Sequence, residues 1–202
     1  MIPVLCITAF MIAGESTGFM GLPVRIASLV SLMVIFLYFL SMAKKDDASP
    51  VLKTMVIFLA LEAAGVWLLP QAPRVVFGKL AIVQLYTLLF AMAVIPLIGG
   101  KAPFTTFFAQ KDAPEEVWET DVFKQINKDM TKFWAFLFVV CGLFALTPLI
   151  YPFLDVLPWS LVFRLGLPAL LLAGLGRAFN KKYPDYYMKK IGLTPRETPA
   201  SE

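Results

Sequence analysis

No histidine occurs anywhere in the 202 residues, and cysteine occurs only twice. The first absence removes the commonest general base and metal ligand, so the sequence argues against Ser-His hydrolysis, His-ligated zinc and bis-histidine haem. Cys6 and Cys141 stand apart inside apolar runs, where a thiol packs as a small hydrophobe; neither a disulfide nor a metal or other cofactor is expected. Charge is scarce as well. Only 16% of residues are charged against 59% hydrophobic, a balance that a soluble core cannot absorb. Met1-Ile2-Pro3 lacks the basic start of a cleaved signal peptide, so the N-terminus is expected to be retained.

What is present is a succession of apolar stretches. Hydrocarbon about 30 Å thick needs roughly 20 mostly apolar residues per helix, and residues 80–98, 133–151 and 160–179 meet that length. Residues 22–43 and 54–69 add two more spans. Residues 2–13 form a shorter run that the Gly14-Glu15-Ser16-Thr17-Gly18 stretch interrupts, so this segment either crosses as a short helix or is re-entrant. The expectation is an all-α polytopic bundle of five or six spans in one domain, residues 1–180, followed by a basic, flexible cytoplasmic tail, 181–202. Lys44-Lys45 followed by Asp46-Asp47-Ala48-Ser49-Pro50 marks a loop, and Pro70-Gln71-Ala72-Pro73-Arg74 reads as a tight turn.

Lysine and arginine set the orientation of such a chain. With six crossings, fourteen of the 18 basic residues fall on one side, and Arg25, Arg74, Lys79 and Arg164 are left for the other. This places the loop 101–132 and the C-terminus in the cytoplasm. The net charge of +4 is then read as basic loops at an anionic lipid surface, with no nucleic-acid partner.

Few residues offer chemistry. Gly14-Glu15-Ser16-Thr17-Gly18 matches the G-x-S-x-G pattern, but a nucleophile elbow needs a strand-to-helix turn and a base, and neither is expected here. Glu62 falls midway along an apolar span, where a carboxylate costs about 3 kcal/mol or more unless protonated or paired. It is either a proton or cation site, or a structural carboxyl bonded to a neighbouring helix or to Arg25, Arg74, Lys79 or Arg164. Gln84 suits the same bundle-interior role. Ala60/Ala64 and Ala169/Ala173 offer small-xxx-small faces for close helix contact.

Within the loop 101–132, Asp112 can cap a helix, Pro114 suits its first turn, and Glu115 completes a box-like spacing. Trp118, Val122, Ile126 and Met130 then recur every fourth residue, opposite Glu119, Lys124, Gln125 and Lys128. The pattern predicts an interfacial amphipathic helix over about 114–132 on the inner leaflet, or a docking face for another protein.

A further set of residues carries a likeness. Lys79, a span containing Tyr86, Lys101-Ala102-Pro103-Phe104, Pro114-Glu115-Glu116-Val117-Trp118, Ile126-Asn127, Trp134-Ala135 and Cys141-Gly142-Leu143 occur in an order that resembles the bacterial intracellular septation protein A family. The likeness covers most of the chain and rests on order and spacing. Phe104 stands where that family usually has Leu, and Asn127 lies about one helical turn further from Trp134 than the family spacing, which keeps both on one face. The resemblance implies a multi-pass inner-membrane protein without catalytic activity, supporting cell-envelope maintenance or division. Its partners would be the bilayer and other inner-membrane proteins or a second copy. A small proton- or cation-coupled transporter built on Glu62 is the competing expectation.

Overall fold

Helices that are apolar on every side belong in a large protein core or in hydrocarbon, and each long helix of this chain contains a stretch of that kind. The computed structural model describes residues 2–17, 21–45, 47–156 and 158–192, and among them no strand occurs. In chain order the helices are α1 (Ile2–Thr17), α2 (Gly21–Ala43), α3 (Pro50–Leu68), α4 (Gln71–Lys79), α5 (Ala81–Ile98), α6 (Phe104–Asp112), α7 (Asp121–Ile150) and α8 (Trp159–Lys190). Five of them, α2, α3, α5, α7 and α8, are long and apolar enough to cross a membrane. Leu37, Leu68, Ile95, Phe136, Leu143 and Leu170 are among the large apolar side chains left exposed on their flanks. Water would penalise such surface at about 25 cal/mol per Å², whereas lipid tails would not. The all-α, membrane-compatible architecture expected from composition is present. With 16 residues, α1 is about 24 Å long. It lies along α2, where the Ser31 hydroxyl donates to the Cys6 carbonyl at 3.0 Å.

Successive long helices pack as neighbours, α2 on α3, α3 on α5, α5 on α7 and α7 on α8, with α7 packed extensively against both α5 and α8. Phe10, Val24, Ile35, Phe58, Leu59, Ile82, Phe138 and Cys141 fill the core between them. Loops and short helices collect at two ends. One end holds the α2–α3 loop, α6, the start of α7 and the end of α8; there Lys111 of α6 pairs with Asp47 of the loop. This end carries most of the lysines. The opposite end holds α4 and the α7–α8 connection, joined by Asp155.

Local signals explain most helix ends. Ser49 is extended and its hydroxyl accepts from Leu52 N at 3.1 Å, with Pro50 in the first turn, so α3 starts at Pro50. Gly100, at φ +65°, turns the chain after α5.

Elsewhere the structure differs from expectation. Residues 70–74 are not a simple turn: α4 begins at Gln71, because Pro73 sits in a first turn whose N–H groups have no intrahelical partner. Asp112 ends α6 and does not cap a helix. Ala113 before Pro114 is extended, as a residue preceding proline tends to be, and only a single 3₁₀ turn follows over Glu115–Val117. The next cap is Thr120, whose hydroxyl accepts from Phe123 N at 3.3 Å. From Asp121 to residue 132 the polar-apolar pattern therefore belongs to the first turns of the continuous 30-residue α7, while Trp118 and Glu119 precede it. The tail expected from residue 181 is helical as far as Lys190, and 193–202 lie outside the described residues. Gly14 to Thr17 form the last turn of α1 and not a strand-to-helix elbow, while Gly18 lies outside the described residues. Ala60, Ala64, Ala169 and Ala173 are exposed, so these alanine pairs face outward. Close approach occurs instead at Gly65, against Phe77, and at Gly176, against Trp134.

Candidate functional site

Among the described side chains, Glu62 is the one acidic group placed wholly inside the core. It is 0% exposed, and neither carboxyl oxygen has a hydrogen-bond partner among the described residues. Helical periodicity puts Phe58, Leu59, Gly65 and Val66 on its face of α3, and all four are buried. The cations considered as partners are engaged elsewhere. Arg25 lies over the Trp67 ring, 5.3 Å from its centroid. Arg74 donates through Nε and Nη2 to the Leu69 carbonyl at 3.2 and 2.6 Å. Gln84 donates to the Phe77 carbonyl at 3.1 Å.

Glu62 is therefore a desolvated carboxyl with no hydrogen-bond partner among the described residues. Leaving such a group unsatisfied costs about 1–3 kcal/mol. Glu62→Met removes both oxygens at similar volume and is expected to preserve or raise thermal stability in detergent. A clear drop in the unfolding midpoint would mean that the carboxyl makes a stabilising bond after all.

Lys79 and Arg164 meet at the opposite end on a shared carboxylate. Lys79 Nζ lies 2.5 Å from Asp155 Oδ2, and Arg164 Nη2 lies 2.9 Å from Asp155 Oδ1. Arg164 is completely buried, whereas the Lys79 side chain is 38% exposed. Sequence reasoning missed Asp155, although a lone acid between two spans, on the side of four isolated cations, was a signal that could have found it. Next to Arg164 the helix widens to π geometry over Val162–Gly166, just before Pro168, which has no N–H to continue the α ladder.

At the basic end the residues of the resemblance form a seam. Pro103 precedes α6, and the Thr105 hydroxyl of that helix donates to the Asn127 carbonyl and contacts the Thr131 hydroxyl, both at 2.8 Å. Asn127 is buried and donates back to the Phe123 carbonyl at 2.9 Å. Trp134 packs on Gly176 and donates through Nε1 to Asn180 at 2.9 Å, tying α7 to α8. Asp129 accepts from Gln125, Lys132 and Tyr183, each at 2.9 Å. Phe133, Phe179 and Tyr183 stack beside it. Trp118 donates to the Ala113 carbonyl at 2.9 Å, bracing the irregular linker. Outside the spans, a hydrogen bond from the Lys124 ammonium holds the exposed Glu119 carboxyl below the usual carboxylate range. Lys101 is exposed and makes no side-chain contact with this seam. Thr105, Thr131, Asn180 and Tyr183 were not legible as site residues, because their partners are distant in sequence.

No protein-family model, curated protein or solved structure matches the chain.

Proposed function

We propose that this chain is a non-enzymatic protein of the bacterial inner membrane, similar to septation protein A, that supports cell-envelope maintenance or division through contacts with other membrane proteins or a second copy. One observation carries the reading: several residues of the resemblance, Lys79, Asn127 and Trp134 among them, join one helix to another element. Lys79 holds Asp155, Trp134 holds Asn180, and the Asn127 backbone carbonyl accepts from Thr105. Such residues make a rigid frame. Phe108 and Tyr186 remain exposed at its basic end, beside Lys111 and Lys189. Photo-crosslinkers at Phe108 and Tyr186 in native membranes are expected to capture a discrete protein or a second copy. Lipid adducts alone at both positions would overturn the reading.

The basic end belongs in the cytoplasm. With Cys6 and Cys141 replaced by Ala, Gln110→Cys and Lys189→Cys should resist an impermeant thiol reagent in intact cells while Phe153→Cys reacts; the reverse pattern would invert the topology.

A second reading, a small proton-coupled transporter, is favoured by the unbonded Glu62 carboxyl. It requires wild-type proteoliposomes to carry a proton flux that Glu62→Gln abolishes while the protein stays folded, and equal flux in both would remove it.

A further inference from the structure

A buried carboxyl with both oxygens unbonded calls for an occupant that completes its chemistry: a cation, a water or a proton. A hard cation takes about six oxygen ligands, and the side chains around Glu62 on its own helix face, Phe58, Leu59, Gly65 and Val66, supply none. Among the described residues, three or more His, Cys, Asp or Glu side chains do not converge on any common point. Water needs two to four polar partners, which that face also lacks. A proton needs only the carboxyl itself. Glu62 lies six residues from Leu68 and twelve from Pro50, about 9 Å and about 18 Å along the axis. The nearer end is polar: Trp67 donates to the Arg25 carbonyl, Arg74 to Leu69, and Gln84 to Phe77.

We propose that Glu62 is a proton-binding site that exchanges with the aqueous phase on the α4 side of the molecule. The proposal rests on the second reading above and specifies its ligand and direction of access. Among the described side chains, the other charged or titratable groups on helices packed against α3 are placed elsewhere. Arg25 covers Trp67, Arg74 binds Leu69, Lys79 binds Asp155 and Lys111 pairs with Asp47. Tyr38 lines a crevice at the basic end, where Asp112 is also exposed. Cys6 and Tyr86 are a buried thiol and phenol, neutral groups at pH 7. No cation thus substitutes for the proton.

The test uses wild-type protein in sealed vesicles of known orientation and the lipid-soluble reagent N,N′-dicyclohexylcarbodiimide. A protonated carboxyl adds across one C=N bond of the reagent, its proton passing to nitrogen, and the O-acylisourea rearranges to a stable N-acylurea without a leaving group. Mass spectrometry should find this adduct on Glu62 and none at that position in Glu62→Gln. Once the buffer on the α4 side exceeds the apparent pKa, labelling should fall about tenfold per pH unit, whatever the pH on the other side. Absence of the adduct, or labelling that follows the other buffer or neither, would overturn the proposal. Labelling as expected without proton flux would remove only the transporter.

Discussion

Asp155→Ala is expected to be the most damaging substitution of a charged residue, costing about 3–5 kcal/mol. Arg164 is fully buried and donates to Asp155 at 2.9 Å, so truncation removes a carboxylate partner from a cation that water cannot reach. Lys79, partly exposed, can turn to solvent, and Lys79→Met should cost about 1 kcal/mol or less. Asp155→Asn keeps an acceptor but not the charge and should fall between. The double variant Asp155→Ala with Arg164→Met removes both charges and is expected to recover much of the loss. Unfolding titrations in mixed micelles give this ranking. If Asp155→Ala proved no worse than Lys79→Met, the shared carboxylate would have no role in holding α4 and α8 together.

Gly176→Val is expected to be the next most damaging change. A Cβ at this position would sit 2.5 Å from Trp134 Cη2 and 2.9 Å from its Cζ2, well inside contact distance. The ring cannot swing away freely, because its Nε1 is bonded to Asn180 and it packs, tilted by 39°, against the Phe138 ring. Overpacking of this sort costs about 1–3 kcal/mol or more. Trp134→Ala opens the space, so the two substitutions together should be less harmful than their separate losses added, by about 0.5–3 kcal/mol. Simple additivity in the same titration would mean that the glycine is not there for the indole.

Several features could be read before any fold was known. The span at 80–98 matches α5, Ala81–Ile98, because a long apolar run flanked by Lys79 and Gly99-Gly100 leaves little freedom in its ends. Glu62 was legible for the same reason: a lone acid in such a run must enter the core. The start of α7 was not. Asp112 and Pro114 imitate a helix start, yet proline forces Ala113 out of helical geometry and the cap passes to Thr120. Nor were the close helix contacts, since alanines spaced by four occur on outward and inward faces alike, and only packing decides which face turns in.

Sequence alone therefore determined the all-helical, membrane-compatible class of the chain, the location of its apolar runs and the clustering of lysine in certain loops. These follow from local composition and from the cost of placing charge in hydrocarbon. Only the tertiary structure decided that Asp155 joins Lys79 to Arg164, that Trp134 meets Gly176 and Asn180, and that Glu62 has no hydrogen-bond partner among the described residues. Each of these depends on how one helix is rotated against another, which the packing of the whole bundle sets and no short stretch of chain encodes.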